Sequence, residues 1–455
     1  MPAPAEFLFN AALAEDMGLS SLIDSSHRAA ILSGQKNWGH TQPFAQAYAG
    51  HQFGHFTILG DGRALVLGEW INPDGQRVDI QLKGAGPTPY SRRGDGLATV
   101  SAMLREYLIS ECMHGLGIPT TRSLAVVATG MPVYREEAKS GAVLTRIAKS
   151  HIRVGTFEYA AQLQDLDLLK RFTHYTIQRH YPQCLETEHP IESFLREVVR
   201  HQAELIVQWM RVGFVHGVMN TDNMSIAGET IDYGPCAFMN GFDWGTVFSS
   251  IDTQGRYAYG RQAPIAQWNL AVLASALLPV LHSDSERAVE IARECINTFV
   301  PIYEEAYVAM MRNKLGLLNP IEGDLLLIDE LNAWMQQTHA DFTLTFHALE
   351  DKSQRIQDIF YTAEFEAIAR QLNLLKSVGH EDAKESVVRM QQHNPRFIPR
   401  NAWVEEALEK AVHDDHTLFN QLLEAGSQPY EQLHYLAHLY TAPEDQPHYK
   451  TFCGT

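Results

Sequence analysis

The sequence predicts an α+β protein with two lobes, a small β-rich first lobe and a larger, mostly helical second lobe. Its 455 residues exceed what one hydrophobic core usually supports. Residues 50–83 alternate short apolar runs with glycines and turn residues, which is typical of antiparallel hairpins. From residue 155 onward, apolar residues recur at helical spacing. We therefore expect an N-terminal extension, a β-rich lobe, and a helical lobe with a C-terminal helical extension (residues 1–40, 41–154 and 155–455).

In the first lobe, apolar runs at 64–67 and 78–82 predict strands, and further strands are expected at 123–128 and 142–147. Between them, residues 97–116 have the apolar spacing of a helix, which is ended by glycines and a proline. The lobe is therefore predicted to be a small sheet that carries one helix.

In the second lobe, an apolar stripe over residues 194–210 predicts a helix that ends at Gly213, in the position of a helix C-cap. A loop of unusual composition follows at 216–235. Beyond it, the spacing predicts mostly helices, at 264–281, 285–313, 323–350, 362–377, 403–424 and 428–440.

Composition limits the classes of function. The net charge of -18 disfavours a nucleic-acid substrate, because phosphates must be neutralised by Lys and Arg. The five cysteines are an odd number with no C-x-x-C pair, which favours a reducing compartment. The N-terminus lacks the pattern of a signal peptide, and the most apolar run, 270–281, is short for a membrane span. We expect a soluble, cytoplasmic monomer that binds neither nucleic acid nor membrane.

The first candidate site residue is Lys83, which follows the predicted strand 78–82. A lysine there can reach nucleotide phosphates if a carboxylate from a following helix holds it. Glu106 lies 23 residues further on in the predicted helix, and Glu111 is an alternative partner. Each glutamate could equally be an ordinary solvated charge on the helix surface.

A glycine-rich turn, Gly60-Asp-Gly62-Arg63, lies between two predicted strands. A dinucleotide fingerprint or a P-loop would open a helix instead, and the chain contains no Gly-Lys. A hairpin that covers phosphates, as in kinases, remains open beside a plain hairpin turn.

Arginines beside glycines indicate an anion site on this acidic chain. Arg92 and Arg93 lie in Ser91-Arg-Arg-Gly-Asp-Gly96, and Arg146 and Arg153 follow the last predicted strand. Guanidinium groups bind phosphate through paired hydrogen bonds. A solvated cationic face is the alternative.

The most specific signal is the loop that begins at His216. Kinase catalytic loops read H-R-D-x-x-x-x-N, with D-F-G further on. His216 and Asn223 have that spacing, and Asp232-Tyr-Gly fills the second position. The oxygen atoms of Asn and Asp suit Mg²⁺ that bridges phosphates. The slot of the catalytic Asp, however, holds Val218, and Asp222 supplies a carboxylate four residues later. The loop therefore indicates a kinase-like site with a relocated base.

These residues resemble the selenoprotein O family of protein adenylyltransferases, which have been regarded as pseudokinases. The likeness covers nearly the whole chain, and its longest block is residues 81–96. The matching segments are Tyr48-Ala-Gly-His-Gln-Phe-Gly54, Leu59-Gly-Asp-Gly-Arg63, Gln81-Leu-Lys-Gly-Ala-Gly-Pro-Thr-Pro-Tyr-Ser-Arg-Arg-Gly-Asp-Gly96, Leu116-Gly-Ile-Pro-Thr-Thr-Arg122, His216-Gly-Val-Met-Asn-Thr-Asp-Asn-Met224, Ile231-Asp-Tyr-Gly-Pro235, Asn394-Pro-Arg-Phe397 and Arg400-Asn401.

The resemblance implies a protein-kinase-like fold that binds ATP in reversed orientation, so that AMP passes to a Ser, Thr or Tyr hydroxyl of another protein and pyrophosphate leaves. It implies Asp222 as proton acceptor and Asn223 with Asp232 as ligands of Mg²⁺ or Mn²⁺. It implies an ion pair between Lys83 and Glu106. The implied nucleotide-binding residues are Gly60, Gly62, Arg63, Lys83, Asp95, Gly96, Arg146, Arg153 and Asp232.

The family often pairs a C-terminal cysteine with one in the activation segment, forming a redox-sensitive disulfide. Cys453 occupies the C-terminal place, while residues 240–256 contain no cysteine and Cys236 is the nearest candidate. Other functions also remain open at this point: UMP transfer from UTP with Mn²⁺, a small-molecule or protein kinase, and a non-catalytic nucleotide-binding pseudokinase.

Overall fold

The computed structural model describes residues 4–350, 362–380, 382–443 and 449–451. In this part of the chain the strands are β1 (Ala5–Phe9), β2 (Ala49–Gln52), β3 (His55–Ile58), β4 (Ala64–Ile71), β5 (Arg77–Lys83), β6 (Ala98–Thr99), β7 (Arg122–Tyr134), β8 (Ala138–Ala148), β9 (Phe214–Val215) and β10 (Ala237–Phe238). The helices are α1 (Ala11–Asp16), α2 (Ser20–Ile23), α3 (Arg28–Leu32), α4 (Val100–Gly115), α5 (Val154–Gln162), α6 (Leu166–His180), α7 (Pro190–Arg211), α8 (Gln262–Leu281), α9 (Ser285–Asn297), α10 (Phe299–Leu315), α11 (Asp324–Thr338), α12 (Phe342–Glu350), α13 (Ala363–Val378), α14 (Ala383–His393), α15 (Asn401–Val412) and α16 (Thr417–Ser427).

The first lobe is an antiparallel sheet in the order β1-β7-β8-β5-β4, and the short β6 pairs with β8. Side chains along β5 alternate between two faces. Val78, Ile80 and Leu82 face a core that α1–α3 complete, so the first residues of the chain pack onto this lobe. Lys83 comes directly after Leu82 in β5, so its side chain points to the opposite face of the sheet, toward α4.

Helix α4 lies between the sheet and the C-terminal helices. Its first turn is capped by Thr99, whose hydroxyl accepts the N–H of Ala102 at 3.3 Å. At its end, Gly115 crosses α16 so closely that a Cβ there would lie 1.9 Å from the carbonyl oxygen of Gly426. The C-terminal helices thus hold α4, and with it Glu106, against the sheet.

The second lobe is helical, as predicted, and α7 lies in its core with Phe194, Leu195 and Trp209 buried. Gly213 follows α7 with φ of +69°, which confirms the predicted left-handed end of this helix. The α+β architecture predicted from the sequence, with a β-rich first lobe followed by a larger, mostly helical lobe, is confirmed.

One helix among the described residues, Tyr259–Leu281, is long and apolar enough to cross a membrane, with a mean hydropathy of 1.5 over its best window. It is longer than the apolar run 270–281 seen in the sequence because it begins earlier, with a 3₁₀ turn at Tyr259–Arg261 that leads into α8 at Gln262. Leu270, Leu273 and Leu277 are fully buried in the main core. Core helices of soluble proteins also show this length and composition.

Four of the predicted helices differ from the observed elements. The helix expected at 403–424 is two helices, α15 and α16, and Asp414 between them has φ of +67°. The helix expected at 285–313 is two helices that meet at Thr298, and the one expected at 323–350 breaks at His339, whose φ is +50°. The region 428–440 forms a 3₁₀ turn, His434–Tyr440, rather than an α-helix. Apolar spacing continues through such breaks because the helices on both sides face the same core.

Candidate functional site

A cleft of about 810 Å³ lies where the two lobes meet. It is the place where the end of β5, the glycine-rich turn and the loop after β9 come together. Its lining contains most of the residues selected from the sequence, together with several that were not selected: Tyr48, Gln52, Phe53, Asp61, Gly62, Arg63, Lys83, Arg93, Asp95, Gly96, Arg135, Arg146, Arg153, Val218, Asn220, Asp222, Asn223, Asp232 and Ile251.

Lys83 links the two lobes through carboxylates. Its Nζ lies 2.6 Å from Glu106 Oε2 and 2.7 Å from Asp232 Oδ1, and the lysine and Glu106 are buried. The alternative partner, Glu111, instead pairs with Arg122 at 2.7 Å. The sheet, α4 and the loop after β9 are therefore joined at one buried ammonium group.

Arg146 completes this network from the neighbouring strand β8. Its Nη1 lies 3.1 Å from Glu106 Oε1 and 2.7 Å from Asp232 Oδ1, and its Nε donates to Gln81 Oε1 at 2.7 Å. Burial alone would raise the pKa of Asp232, but the nearby charges of Arg146 and Lys83 hold that pKa well below its usual range. Asp232 is thus ionised and charge-paired.

Arg153 stands at the start of α5 and is 2% exposed. Its Nη1 donates to the backbone carbonyl of Asp222 at 3.2 Å, and its Nη2 lies 3.6 Å from Asp61 Oδ1. The guanidinium also lies over the ring of Tyr48, 4.5 Å from the centroid. Tyr48 and Asp61 were not assigned roles from the sequence, although both lie in segments that carry the family resemblance.

The glycine-rich turn packs against the segment that follows β5. Gly60 has φ of +129°, and a Cβ there would lie 2.3 Å from the ring of Tyr90. The hydroxyl of Ser91 donates to the carbonyl of Gly62. Gly62 and Arg63 line the cleft, whereas Gly60 shapes the turn behind it.

Asp95 and Gly96 form the rim of the cleft. Asp95 Oδ2 accepts from Arg135 Nη1 at 2.8 Å, and this ion pair is partly exposed. Gly96 has φ of +69° and lies so close to the carbonyl of Gly86 that a side chain there would collide with it. Arg135 is a further rim residue that the sequence alone did not indicate.

The loop after β9 is built on His216. Its Nε2–H donates to the carbonyl of Ile231 at 2.9 Å, and its ring stacks on Trp209 with centroids 5.3 Å apart. Asn223 Nδ2 donates to the carbonyl of Val218 at 3.0 Å. The amide oxygen of Asn223 therefore remains available to a ligand in the cleft, beside the segment that carries Asp232.

The side chain of Asp222 forms no ion pair with any residue that the structure describes, unlike that of Asp232. Asp222 Oδ1 is buried and makes no hydrogen bond within the described part of the chain. Burial raises the pKa of Asp222 to about 6, against the opposing charge of Arg153. The backbone approaches it closely, because a Cβ on Gly50 would lie 2.5 Å from Oδ1. Such a carboxylate can accept a proton near neutral pH.

No group of three or more His, Cys, Asp or Glu side chains in the described ranges could hold a metal ion. The two donors selected from the sequence, the side-chain oxygens of Asn223 and Asp232, lie in one cleft lining. Two protein oxygens are the usual contribution to Mg²⁺ when phosphates and water complete the shell. The residues therefore fit a cation that arrives with a nucleotide.

The cysteines make no disulfide within the described chain. Cys112, Cys184, Cys236 and Cys295 are all buried, and each has a free thiol that is in no disulfide with a described residue. Cys453, the predicted redox residue, lies outside the described residues.

Comparison with known proteins gives a consistent result. A family model described as "Protein adenylyltransferase SelO" matches residues 3–427. A protein of Bacillus mycoides (strain KBAB4) named "Protein nucleotidyltransferase YdiU" is 50% identical, covering 100% of this chain and 93% of the relative. A protein of the same name from Clostridium perfringens (strain 13 / Type A) is 52% identical over 99% of this chain and 93% of the relative.

Among solved structures, ROP2 from Toxoplasma gondii, described as a virulence factor with a protein-kinase fold and no enzymatic activity, covers 82% of this chain and 97% of its own. The sequence identity is 12% and the TM-score is 0.27, so this likeness supports no conclusion about function.

Proposed function

Because the chain belongs to the SelO family of protein adenylyltransferases and is a nucleotidyltransferase, we propose that it transfers AMP from ATP to Ser, Thr or Tyr hydroxyls of proteins and releases pyrophosphate. One observation carries the choice of AMP transfer over phosphoryl transfer. Val218 stands where a kinase needs its base, while the unpaired carboxylate of Asp222 lies elsewhere in the same cleft.

The cations of the cleft would hold the phosphates. Lys83, Arg146 and Arg153 converge on Asp232 from the sheet and from α5, at 2.7, 2.7 and 3.7 Å. A nucleotide whose β- and γ-phosphates take this inner position presents its α-phosphorus toward the loop of Asp222. The same three cations then stabilise the charge that develops on the departing pyrophosphate.

Asn223 and Asp232 would hold a divalent cation, Mg²⁺ or Mn²⁺, which would neutralise phosphate charge when bound. Asp222 takes the proton of the acceptor hydroxyl as the oxygen forms its bond to the α-phosphorus. The bond between the α-phosphorus and the bridging oxygen of pyrophosphate breaks, and that oxygen keeps the electron pair. Burial raises the pKa of Asp222 to about 6, which makes the carboxylate a stronger base for removing the proton of the hydroxyl. At neutral pH the carboxylate is still largely ionised, as a base must be.

The test is a double-label transfer assay. Purified protein is incubated with a protein acceptor and either α-³²P ATP or γ-³²P ATP, and the modified residue is identified by mass spectrometry. We expect label on protein from the α position alone, with the added mass of AMP on a hydroxyl. Label from the γ position would instead indicate a kinase.

A parallel reaction with α-³²P UTP and Mn²⁺ measures UMP transfer. Greater transfer from UTP than from ATP would contradict the proposed donor. Asp222→Asn keeps the shape of the side chain and should abolish transfer, whereas the control Asp74→Asn, on the exposed turn between β4 and β5, should retain it. Absence of any transfer by the wild type would favour the non-catalytic alternative.

A further inference from the structure

The tip of the β2–β3 hairpin is attached to the loop that carries Asp222. Phe53, at this tip, has φ of +51°, which is unusual for a bulky residue. Its N–H donates to Asn220 Oδ1 at 3.1 Å, and the hydroxyl of Tyr257 donates to the same oxygen at 2.5 Å. The rings of Phe53 and Tyr257 lie 5.2 Å apart. The hairpin, the loop and the segment before α8 therefore form one continuous surface beside the base.

Arg256 lies on this surface, and its guanidinium packs against aromatic rings, while its backbone N–H donates to Asp252 Oδ1 at 2.8 Å. Its guanidinium lies 5.0 Å from the ring centre of Trp268 and 5.7 Å from that of Tyr257. Its Nε is buried and has no hydrogen-bond partner among the residues that the structure describes. No ion pair between residues that the structure describes includes Arg256, whereas Arg146 and Arg153 each face Asp232.

The position of Arg256 connects it to the mouth of the cleft. A Cβ on Gly54, beside Phe53, would lie 3.8 Å from Arg256 Nη2. Phe53 and Asp222 line the same cleft, together with Ile251, which precedes Arg256 in the chain and is 55% exposed. A polypeptide that brings a hydroxyl to Asp222 past the hairpin tip therefore runs alongside Arg256.

We propose that Arg256 determines acceptor specificity by binding the carboxylate of an Asp or Glu residue close in sequence to the modified hydroxyl. This inference rests on the proposed transfer to protein hydroxyls. A guanidinium offers a carboxylate two parallel hydrogen bonds, and stacking on Trp268 holds the fork in place before the acceptor arrives. With a net charge of -18, the protein otherwise repels acidic segments, so selection depends on this local cation.

The cations for the nucleotide lie elsewhere. Lys83, Arg146 and Arg153 surround Asp232 in the inner cleft, while Arg256 lies beyond the tip of the hairpin on the side of Trp268. A contact of Arg256 with ATP is therefore the competing role, and kinetic constants for ATP and for the acceptor separate the two.

The experiment uses the full-length protein, α-³²P ATP and a set of peptides that share one acceptor hydroxyl. In each peptide a single Glu occupies a different neighbouring position, and a matched peptide carries Gln there. We expect kcat/KM to be about 10- to 100-fold higher with Glu than with Gln at one position, the range for a hydrogen bond between charged groups. Arg256→Gln should remove this preference and leave the KM for ATP unchanged.

Arg261→Gln is the control, because Arg261 is exposed and lies five residues further along the same segment. It should keep the full preference for Glu. Arg256→Glu should reverse the preference toward a peptide with Lys at that position, which a variant that merely fails to fold could not do.

The outcomes are separable. Equal labelling of the Glu and Gln peptides by the wild type, or a preference that survives Arg256→Gln, would overturn the inference while leaving AMP transfer intact. A raised KM for ATP in Arg256→Gln, with the peptide preference retained, would assign Arg256 to the nucleotide. No label on any peptide from the wild type would contradict the proposed function and this inference together.

Discussion

Substitution of Gly50 by alanine tests the position of the proposed base without changing its chemistry. A Cβ on Gly50 would lie 2.5 Å from Asp222 Oδ1, so the carboxylate must move by about 0.9 Å to reach ordinary contact at 3.4 Å. Rotation of the Asp222 side chain moves the nearest atom away, and a small shift of the loop relieves the contact with Asp222 Cβ at 3.1 Å, so the fold should tolerate the change at a cost of about 1–3 kcal/mol. A displacement of about 1 Å in an active site can cost on the order of 100-fold in rate.

We therefore predict that Gly50→Ala lowers kcat for AMP transfer about 100-fold while the protein stays folded. The assay is initial-rate transfer from α-³²P ATP, with thermal unfolding measured in parallel. Gly245→Ala is the matched control, because its Cβ would lie 3.3 Å from the carboxylate of Asp243, outside the cleft lining. Wild-type kcat in folded Gly50→Ala would refute the reasoning, since the reaction would then not depend on where Asp222 places its oxygen.

Three further changes test two other residues of the site, Lys83 and Asp232, and one buried carboxyl outside the cleft lining, Glu229. Lys83→Ala removes a charged phosphate partner and should lower kcat/KM for ATP about 10- to 100-fold; an unchanged value would contradict its phosphate role. Asp232→Asn should weaken the dependence of transfer on Mg²⁺, measured by metal titration, and full activity at the same metal concentration would remove Asp232 from the ligand set. Glu229 is a buried carboxyl, beside the backbone N–H of Lys149 at 3.0 Å, and burial raises its pKa from 4.5 to about 7. Because the folded state prefers the protonated acid, this contribution to stability is present below pH 4.5 and is lost as the pH rises through 7. Glu229→Gln should remove that dependence and raise the free energy of unfolding above pH 7 by roughly 1–3 kcal/mol, measured by denaturant unfolding at several pH values.

The parts of the fold that follow local rules were predictable. The alternation along β5 and the apolar stripe of α7 are periodic signals, and Gly213 ends α7 because it adopts the left-handed conformation. The break between α11 and α12 at His339 was not predictable, because the left-handed conformation of this histidine does not change the spacing of the apolar residues. The pairing of β1 with β7 joins residues more than a hundred positions apart, which no local pattern specifies.

In the site, sequence reasoning selected the residues that resemble a kinase template but could not supply their long-range partners. Lys83 and Glu106 are 23 residues apart, and their contact could be predicted because the helix that carries Glu106 follows the strand that carries Lys83. The contact of Arg153 with Asp61, and the attachment of Phe53 to Asn220, depend on how a hairpin folds back onto the other lobe. The spacing that indicated Asn223 and Asp232 likewise contained no information about the cations that surround Asp232.

The carboxylate of Asp232 can pair either with the protein's own cations or with a divalent metal ion. Competition between these two kinds of partner links metal binding to nucleotide binding. Asp232 Oδ1 lies 2.7 Å from both Lys83 Nζ and Arg146 Nη1, so a divalent cation alone would meet a neutralised oxygen and two nearby positive charges. The phosphates of a nucleotide change both conditions, because they attract the Lys83 and Arg146 side chains and add oxygen ligands of their own. Metal and nucleotide should therefore bind cooperatively, and by thermodynamic reciprocity each raises the affinity for the other by the same factor. The ion pairs that hold the cleft together thus also keep Asp232, one of the two proposed metal ligands, occupied until the nucleotide is bound.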